Sequence, residues 1–222
     1  MSTPLLILRP EPGASATATK ARALGFYPVV APLFEICTTD WDAPDPAGYD
    51  AVMLTSANAA RHGGAHIARF THLPLYAVGA ATADAARALG FERIKMGNKD
   101  ATALLAQIAA DGHQHVLHLA GKHHRAAAHH DLQIERHIAY ESALITPAPA
   151  LPDTAYILLH SPRAAERLAE IIAPATRSSR TLIAISDATA QAAGTGWAAI
   201  HTASAPNDDA LLACAAQLCK LS

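Results

Sequence analysis

The chain has 222 residues, of which 51 % are hydrophobic but only 5 % aromatic, and a formal net charge of −2. That length admits one large domain or two of roughly 100 residues each, with cores built from Ala, Leu, Ile and Val. The charge excludes a global attraction to nucleic acid or an anionic membrane, so any anionic ligand must be held by local donors.

Leu5–Leu8 is a continuous apolar run, as in a buried parallel strand, and it empties into RPEPG (Arg9–Gly13), a turn no helix crosses. The spacing predicts a helix over Ala14–Leu24 stopped by Gly25, then a strand over Tyr27–Val30. Leu33–Thr38 alternates weakly and runs into the Pro- and Asp-rich stretch Asp40–Asp50, which marks a boundary. Beyond it, strand AVMLT precedes a helix over Asn58–Phe70, and strand Leu75–Val78 precedes a helix over Thr82–Leu89. Strand Glu92–Lys95 precedes helix Thr102–Ala110, and strand His115–Ala120 precedes a polar helix near Ala126–Arg136. Ile138–Thr146 reads as extended, and PAPALPD (Pro147–Asp153) marks a second boundary. The remainder runs strand YILLH, helix Ala164–Ile172, strand Thr181–Ile185, helix Ala188–Ala193, strand Ala198–Thr202 and helix Asp208–Leu218. Strands alternating with helices in this way predict an α/β fold with parallel sheets flanked by helices.

The chain also repeats itself. YAVGAATADAARALGF (Tyr76–Phe91) returns in weaker form as IAISDATAQAAGTGW (Ile183–Trp197), each with a threonine, Thr82 or Thr189, after a tight turn. AVMLTSANAAR (Ala51–Arg61) returns as YILLHSPRAAERL (Tyr156–Leu168), and DATALLAQIA (Asp100–Ala109) as DDALLACAA (Asp208–Ala216). A period this long is not that of a solenoid. It predicts two similar lobes with the threonine turns on facing edges. The second lobe has only three strands of its own, too few for a comfortable sheet, unless the N-terminal strands complete it. The expected division is a discontinuous lobe of residues 1–33 plus 148–222, an inserted lobe of 46–136, and linker strands within 34–45 and 137–147.

Several familiar motifs fail. Gly194–Ala199 (GTGWAA) follows a helix and precedes a strand, the reverse of a dinucleotide-binding turn. Neither a P-loop nor a GxSxG elbow occurs. Cys37, Cys214 and Cys219 lack metal or disulfide spacing and read as buried small hydrophobes of a reducing compartment. Thirteen histidines suggest a metal, above all in KHHRAAAHHD (Lys122–Asp131), where His124 with His129 and His123 with His130 could share a helix face. No carboxylate or cysteine pattern completes a ligand shell, so a solvated basic face is expected and no metal site. The first apolar run is too short for a signal peptide, and no stretch is long enough to span a bilayer, so a cytoplasmic location is expected.

What remains are loops at strand C-termini, which line the ligand crevice of open α/β sheets and offer helix-start N–H groups to anions. They hold Arg9; Thr55, Ser56 and Asn58; Gly79 and Thr82; Gly121 and Lys122; Ser161 and Arg163; Ser186 and Thr189. Each Ser or Thr is equally suited to a helix N-cap. Tyr140, in the extended linker, offers a phenol as a hydrogen-bond donor.

With these residues in view, the chain resembles the uroporphyrinogen-III synthase family along nearly its whole length. The resemblance lies in ILRPEPG (Ile7–Gly13), LTSANAAR (Leu54–Arg61), YAVGAATADAARALGF, the tyrosine of AYES (Ala139–Ser142), SPRAAERL (Ser161–Leu168), ATA (Ala188–Ala190) and PNDDALL (Pro206–Leu212). It implies two α/β lobes joined by a two-stranded linker, with the active site in the interlobe cleft. It implies cyclisation of hydroxymethylbilane to uroporphyrinogen III, with loss of water and inversion of the last ring through a spiro intermediate. It further implies no metal or organic cofactor, and it carries over Tyr140, Thr82 and Thr189 as site residues. Ser186-Asp187 departs from the glycine-led turn of many relatives and places an acid near an anionic substrate.

The expected catalytic residue is Tyr140, donating to the departing hydroxyl. The other eleven of these loop residues, Thr55 excepted, are expected to bind the polycarboxylate substrate. A monomer suffices to enclose such a site, with transient contact to the preceding pathway enzyme as a further partner and no nucleic acid or membrane. The alternative is a non-catalytic two-lobed protein closing on a small anionic ligand.

Overall fold

The computed structural model describes residues 3–97, 100–123, 127–153 and 156–220. In chain order its first elements are β1 (Pro4–Ile7), α1 (Gly13–Ala23), β2 (Tyr27–Val30), β3 (Phe34–Thr38), β4 (Ala51–Leu54) and α2 (Ala57–His62). Next come β5 (Leu75–Val78), α3 (Ala80–Arg87), β6 (Ile94–Gly97), α4 (Ala101–Ala110), β7 (His115–Gly121) and β8 (Gln133–Leu144). The last are β9 (Tyr156–Leu159), α5 (Pro162–Ile171), β10 (Thr181–Ala184), α6 (Asp187–Ala192), β11 (Ala199–Thr202) and α7 (Asp208–Lys220). No helix among the described residues is long and apolar enough to cross a membrane.

The chain divides into two compact units, residues 1–35 with 143–222, and residues 36–142. In the first unit the sheet order is β11-β10-β9-β1-β2, and every pairing is parallel. Its central strands are apolar without interruption because both faces are covered. Successive side chains alternate between the faces. Leu6, Leu8, Ile157, Leu159 and Leu182 pack with Leu168 of α5 and Trp197 on one side. Leu5, Ile7, Leu158 and Ile183 pack with Ala14 and Ala18 of α1 and Leu211 and Leu212 of α7 on the other.

The second unit holds a sheet of order β3-β8-β7-β4-β5-β6, parallel from β8 through β6. The boundary between units falls within β3 and at the end of β8. Val52, Leu54, Leu75, Leu117 and Leu119 face the layer formed by α2 and α3. Ala51, Met53, Tyr76 and Val116 face Leu104, Leu105 and Ile108 of α4.

Three elements differ from the sequence expectation. No polar helix occupies the described part of 126–136; instead β8 begins at Gln133 and runs beside β7, His115 opposite Gln133. The stretch has no apolar stripe at helical spacing, whereas Leu132 and Ile134, two apart, both reach the α4-side core. The helix expected over Asn58–Phe70 ends at His62 and resumes as a tight 3-10 turn over Ala65–Phe70. Gly64 between them has φ +63°, which no continuing helix allows. The strand expected at Glu92–Lys95 is shifted to Ile94–Gly97, where it pairs with β5.

Candidate functional site

In the second unit the loops after β4, β5 and β7 and the middle of β8 bring the candidate residues to defined places. Ser56 caps α2, its hydroxyl accepting the Asn58 N–H at 3.2 Å. Asn58 in turn accepts from the Arg61 guanidinium at 3.2 Å. Gly79 precedes α3 with φ +77°, a conformation that costs any other residue strain, and α3 has no side-chain cap. Thr82 sits buried in the first turn of α3.

Gly121 closes β7 opposite Tyr140, at a register shift between Ala120 and Gly121. The Tyr140 ring lies directly on the Gly121 Cα: a Cβ there would stand 2.5 Å from Cζ and 2.8 Å from Oη. The pairing is secured by the Lys122 N–H, which donates to the Tyr140 carbonyl at 2.9 Å. The Lys122 ammonium is paired with Glu141 at 2.8 Å. Among the described residues no hydrogen bond takes up the Tyr140 hydroxyl.

Beside Tyr140 stands His62, the last residue of α2, with ring centroids 6.0 Å apart. Its Nδ1 shares a 2.9 Å hydrogen bond with the Thr38 hydroxyl. Burial, with the nearby Arg61 charge added, pushes its pKa down and favours the neutral ring. A cavity of about 300 Å³ opens on it, lined also by Thr38, Trp41, Gly63 and His66. His62 was not among the sequence candidates, because its position inside an apparently longer helix hid its place at a helix end.

In the first unit the corresponding loops follow β1, β9 and β10. Arg9 is engaged: its guanidinium donates to Asp208 at 2.9 Å and to Thr17 at 3.3 Å. Gly13 makes room for it, since a Cβ there would meet Arg9 Nε at 2.5 Å. Asp208 also accepts from the Thr17 hydroxyl at 2.7 Å and bonds His160 Nε2 at 3.0 Å. Burial pushes the Asp208 carboxyl up, but the His160 and Thr17 hydrogen bonds and the Arg9 charge outweigh it and hold the pKa at about 2. His160 is pushed the other way from an ordinary imidazole, chiefly by burial, which lowers its pKa. Asp208 is available for this because Asn207 takes the capping bond, accepting the Ala210 N–H at 2.9 Å. The DDALL motif marks the helix start in the sequence; nothing there shows that its first acid faces a distant arginine and a distant histidine.

Ser161 caps α5, accepting the Ala164 N–H at 3.2 Å, and the Arg163 guanidinium lies over the Phe34 ring at 4.6 Å. Ser186 caps α6 and bonds the Thr189 hydroxyl at 3.0 Å. Thr189 is fully buried. The departure at Ser186-Asp187 has a plain outcome: Ser186 is extended, φ −160°, and caps by side chain where Gly79 turns by positive φ.

The described residues of the histidine-rich segment form no helix face. His124 lies outside the described residues, while the His129 and His130 rings stack at 4.8 Å with Asp131 alongside. The three could approach a cation, but His129 Nδ1 already accepts the Asp131 N–H at 3.3 Å.

A protein-family profile described as "Uroporphyrinogen-III synthase HemD" matches residues 15–213. Among curated proteins no sequence matches significantly. The crystal structure of uroporphyrinogen-III synthetase from Helicobacter pylori 26695 aligns over 98 % of this chain and 100 % of its own, at 18 % identity and a TM-score of 0.66. A mutant uroporphyrinogen III synthase from the extreme thermophile Thermus thermophilus aligns over 100 % of both chains, at 14 % identity and a TM-score of 0.54. At these identities the two structures establish a shared fold, and the profile establishes the family.

Proposed function

This chain belongs to the uroporphyrinogen-III synthase family, and from that premise we propose that Tyr140 is its catalytic acid and that the strand-end loops hold its substrate. The family reaction is a cyclising dehydration of a linear tetrapyrrole, hydroxymethylbilane. The hydroxyl departs as water and leaves an azafulvene cation. The last pyrrole attacks that cation through its substituted carbon, and passage through the spiro intermediate inverts the ring.

Left in water, the same cation closes without inversion, so the protein's task is to hold the substituted carbon nearer than the free one. Tyr140 suits the opening step. Its hydroxyl is not spent on a described protein partner, and its ring is fixed against Gly121. That fixed, uncommitted phenol is the observation that carries the assignment: it can hydrogen-bond to, and protonate, a hydroxyl that becomes a better leaving group as water.

The substrate's carboxylates meet a chain of formal charge −2. The proposed binding set is therefore local: Arg9, Ser56, Asn58, Gly79, Thr82, Gly121, Lys122, Ser161, Arg163, Ser186 and Thr189. Within it, Gly79, Ser56, Ser161 and Ser186 shape the helix starts that present N–H groups, and buried Thr82 and Thr189 brace two of those starts. Lys122 and Arg9 bring cations already paired to acids, so carboxylate binding there is an exchange of partners. The protein is proposed to work in the cytoplasm as a monomer, receiving substrate by transient contact with the enzyme that makes it.

The test is turnover of hydroxymethylbilane with product isomers separated after oxidation. Wild type is expected to yield the type III isomer. Tyr140→Phe should lower kcat roughly 100-fold or more, with little change in KM. Wild-type turnover in that variant removes Tyr140 from the mechanism.

A further inference from the structure

We infer that His62 is a second proton-handling residue in the Tyr140 site: the base that takes the ring proton released on closure. The inference rests on the Tyr140 assignment above and deepens it.

The reaction moves two protons and needs no oxidant or reductant. One joins the departing hydroxyl as the C–O bond breaks, and water leaves. The other leaves the free α-carbon of the last pyrrole as the final C–C bond forms and the ring regains its aromaticity. A tyrosine that gives the first proton is left as phenolate, an unfavourable anion in a site that binds carboxylates. A neutral imidazole beside it accepts the second proton as imidazolium, and one transfer to the phenolate restores both groups. No net proton is gained or lost by the protein.

Four observations place His62 in this role. Its ring stands 6.0 Å from that of Tyr140, tilted by 35°. Its Nδ1 is oriented by the Thr38 hydroxyl at 2.9 Å, while Nε2 meets no hydrogen-bond partner among the described residues. A cavity of about 300 Å³ is lined in part by His62. Burial and Arg61 favour the neutral, basic form. The charged and titratable groups around it are Arg61 on its own helix, Asp40 and Asp42 after β3, His66 on the following turn, and Tyr140 on β8. Dispersal across β3, α2 and β8 is why no sequence motif displays the pair.

The experiment uses the full chain with hydroxymethylbilane, subtracting spontaneous closure. His62→Ala is expected to lose roughly 100-fold in kcat with KM within about threefold, and to regain turnover when imidazole is added, since the cavity admits it. The acid-side fall of the wild-type kcat profile should vanish in the variant. His62→Gln, which keeps a bond to Thr38 and fills the space, should be equally slow and not be rescued. It also serves if the alanine variant does not fold. Turnover of either folded variant within about threefold of wild type overturns the inference, as does failure of imidazole to rescue a folded His62→Ala. If Tyr140→Phe is slow while both His62 variants are normal, only the base assignment falls; if Tyr140→Phe is also normal, the Tyr140 assignment falls with it.

Discussion

Gly121→Ala will reduce turnover about 100-fold in a protein that still folds, because the added methyl occupies the place of the Tyr140 ring. The backbone itself is not the obstacle: Gly121 is not among the glycines of positive φ. The obstacle is the 2.5 Å approach to the tyrosine Cζ, which forces the ring away from β7. Overpacking of this kind costs stability by about 1–3 kcal/mol, but Tyr140 is only partly buried and can swing outward. The phenol is then a side chain's width from where the leaving hydroxyl needs it. Thermal melting and isomer-resolved turnover separate the two effects. A Gly121→Ala/Tyr140→Phe double variant should be no slower than the worse single variant, because both act through the phenol. Losses that multiply would show that the substrate contact proposed for Gly121 matters beyond its clearance for the ring.

Asp208→Ala will strongly destabilise the first unit. The carboxylate gathers Arg9, Thr17 and His160 from three separate elements, and only 14 % of its side chain is exposed. Its removal leaves His160, 6 % exposed, with an unmet Nε2–H next to an uncompensated guanidinium. Removing one partner of a buried pair costs about 3–5 kcal/mol, and because Arg9 is one-third exposed and can turn to water, the lower figure is expected. For a chain of this size that corresponds to a fall in Tm of roughly 6–12 °C. Asp208→Asn keeps an acceptor and should lose less.

The same cluster sets the acid limit of the fold. Asp208 has a folded pKa of about 2 against an ordinary 3.8, so the folded state binds its proton less readily than the unfolded chain. Its contribution is complete above about pH 4 and is lost as pH falls toward 2. His160 is depressed below its ordinary 6.5, so it too withdraws stability as pH drops below that value. Denaturant titrations of wild type should show stability declining in both windows. Asp208→Ala should retain the upper decline and lose its share of the lower one.

Much of the fold is legible in the sequence. The runs LLI, AVML, YILL and TLIA are uninterrupted because helices cover both faces of their sheets, and each lies in a strand. Ser56, Ser161 and Ser186 cap helices, as serine placed just before an Ala-rich run does. Where apolar spacing is absent, in the His- and Ala-rich segment before β8, composition points to a helix that is not found among the described residues. The strand there is chosen by pairing with β7, a partner distant in sequence.

The loops could be named from sequence, but the bonds within them could not. Arg9 reads as a ligand-seeking cation, and its bond to Asp208 is not legible in the sequence. Gly121 reads as a loop glycine, and its purpose is clearance for a tyrosine on the next strand. His62 reads as one more residue of a helix and proves to stand beside that tyrosine. The sequence by itself determined what depends on near neighbours: strand and helix identity, caps, turns and the duplicated pattern. Tertiary structure alone decided which groups are paired, buried or uncommitted, because hydrogen bonds, ion pairs and ring clearances act over a few ångströms between residues that the chain holds far apart.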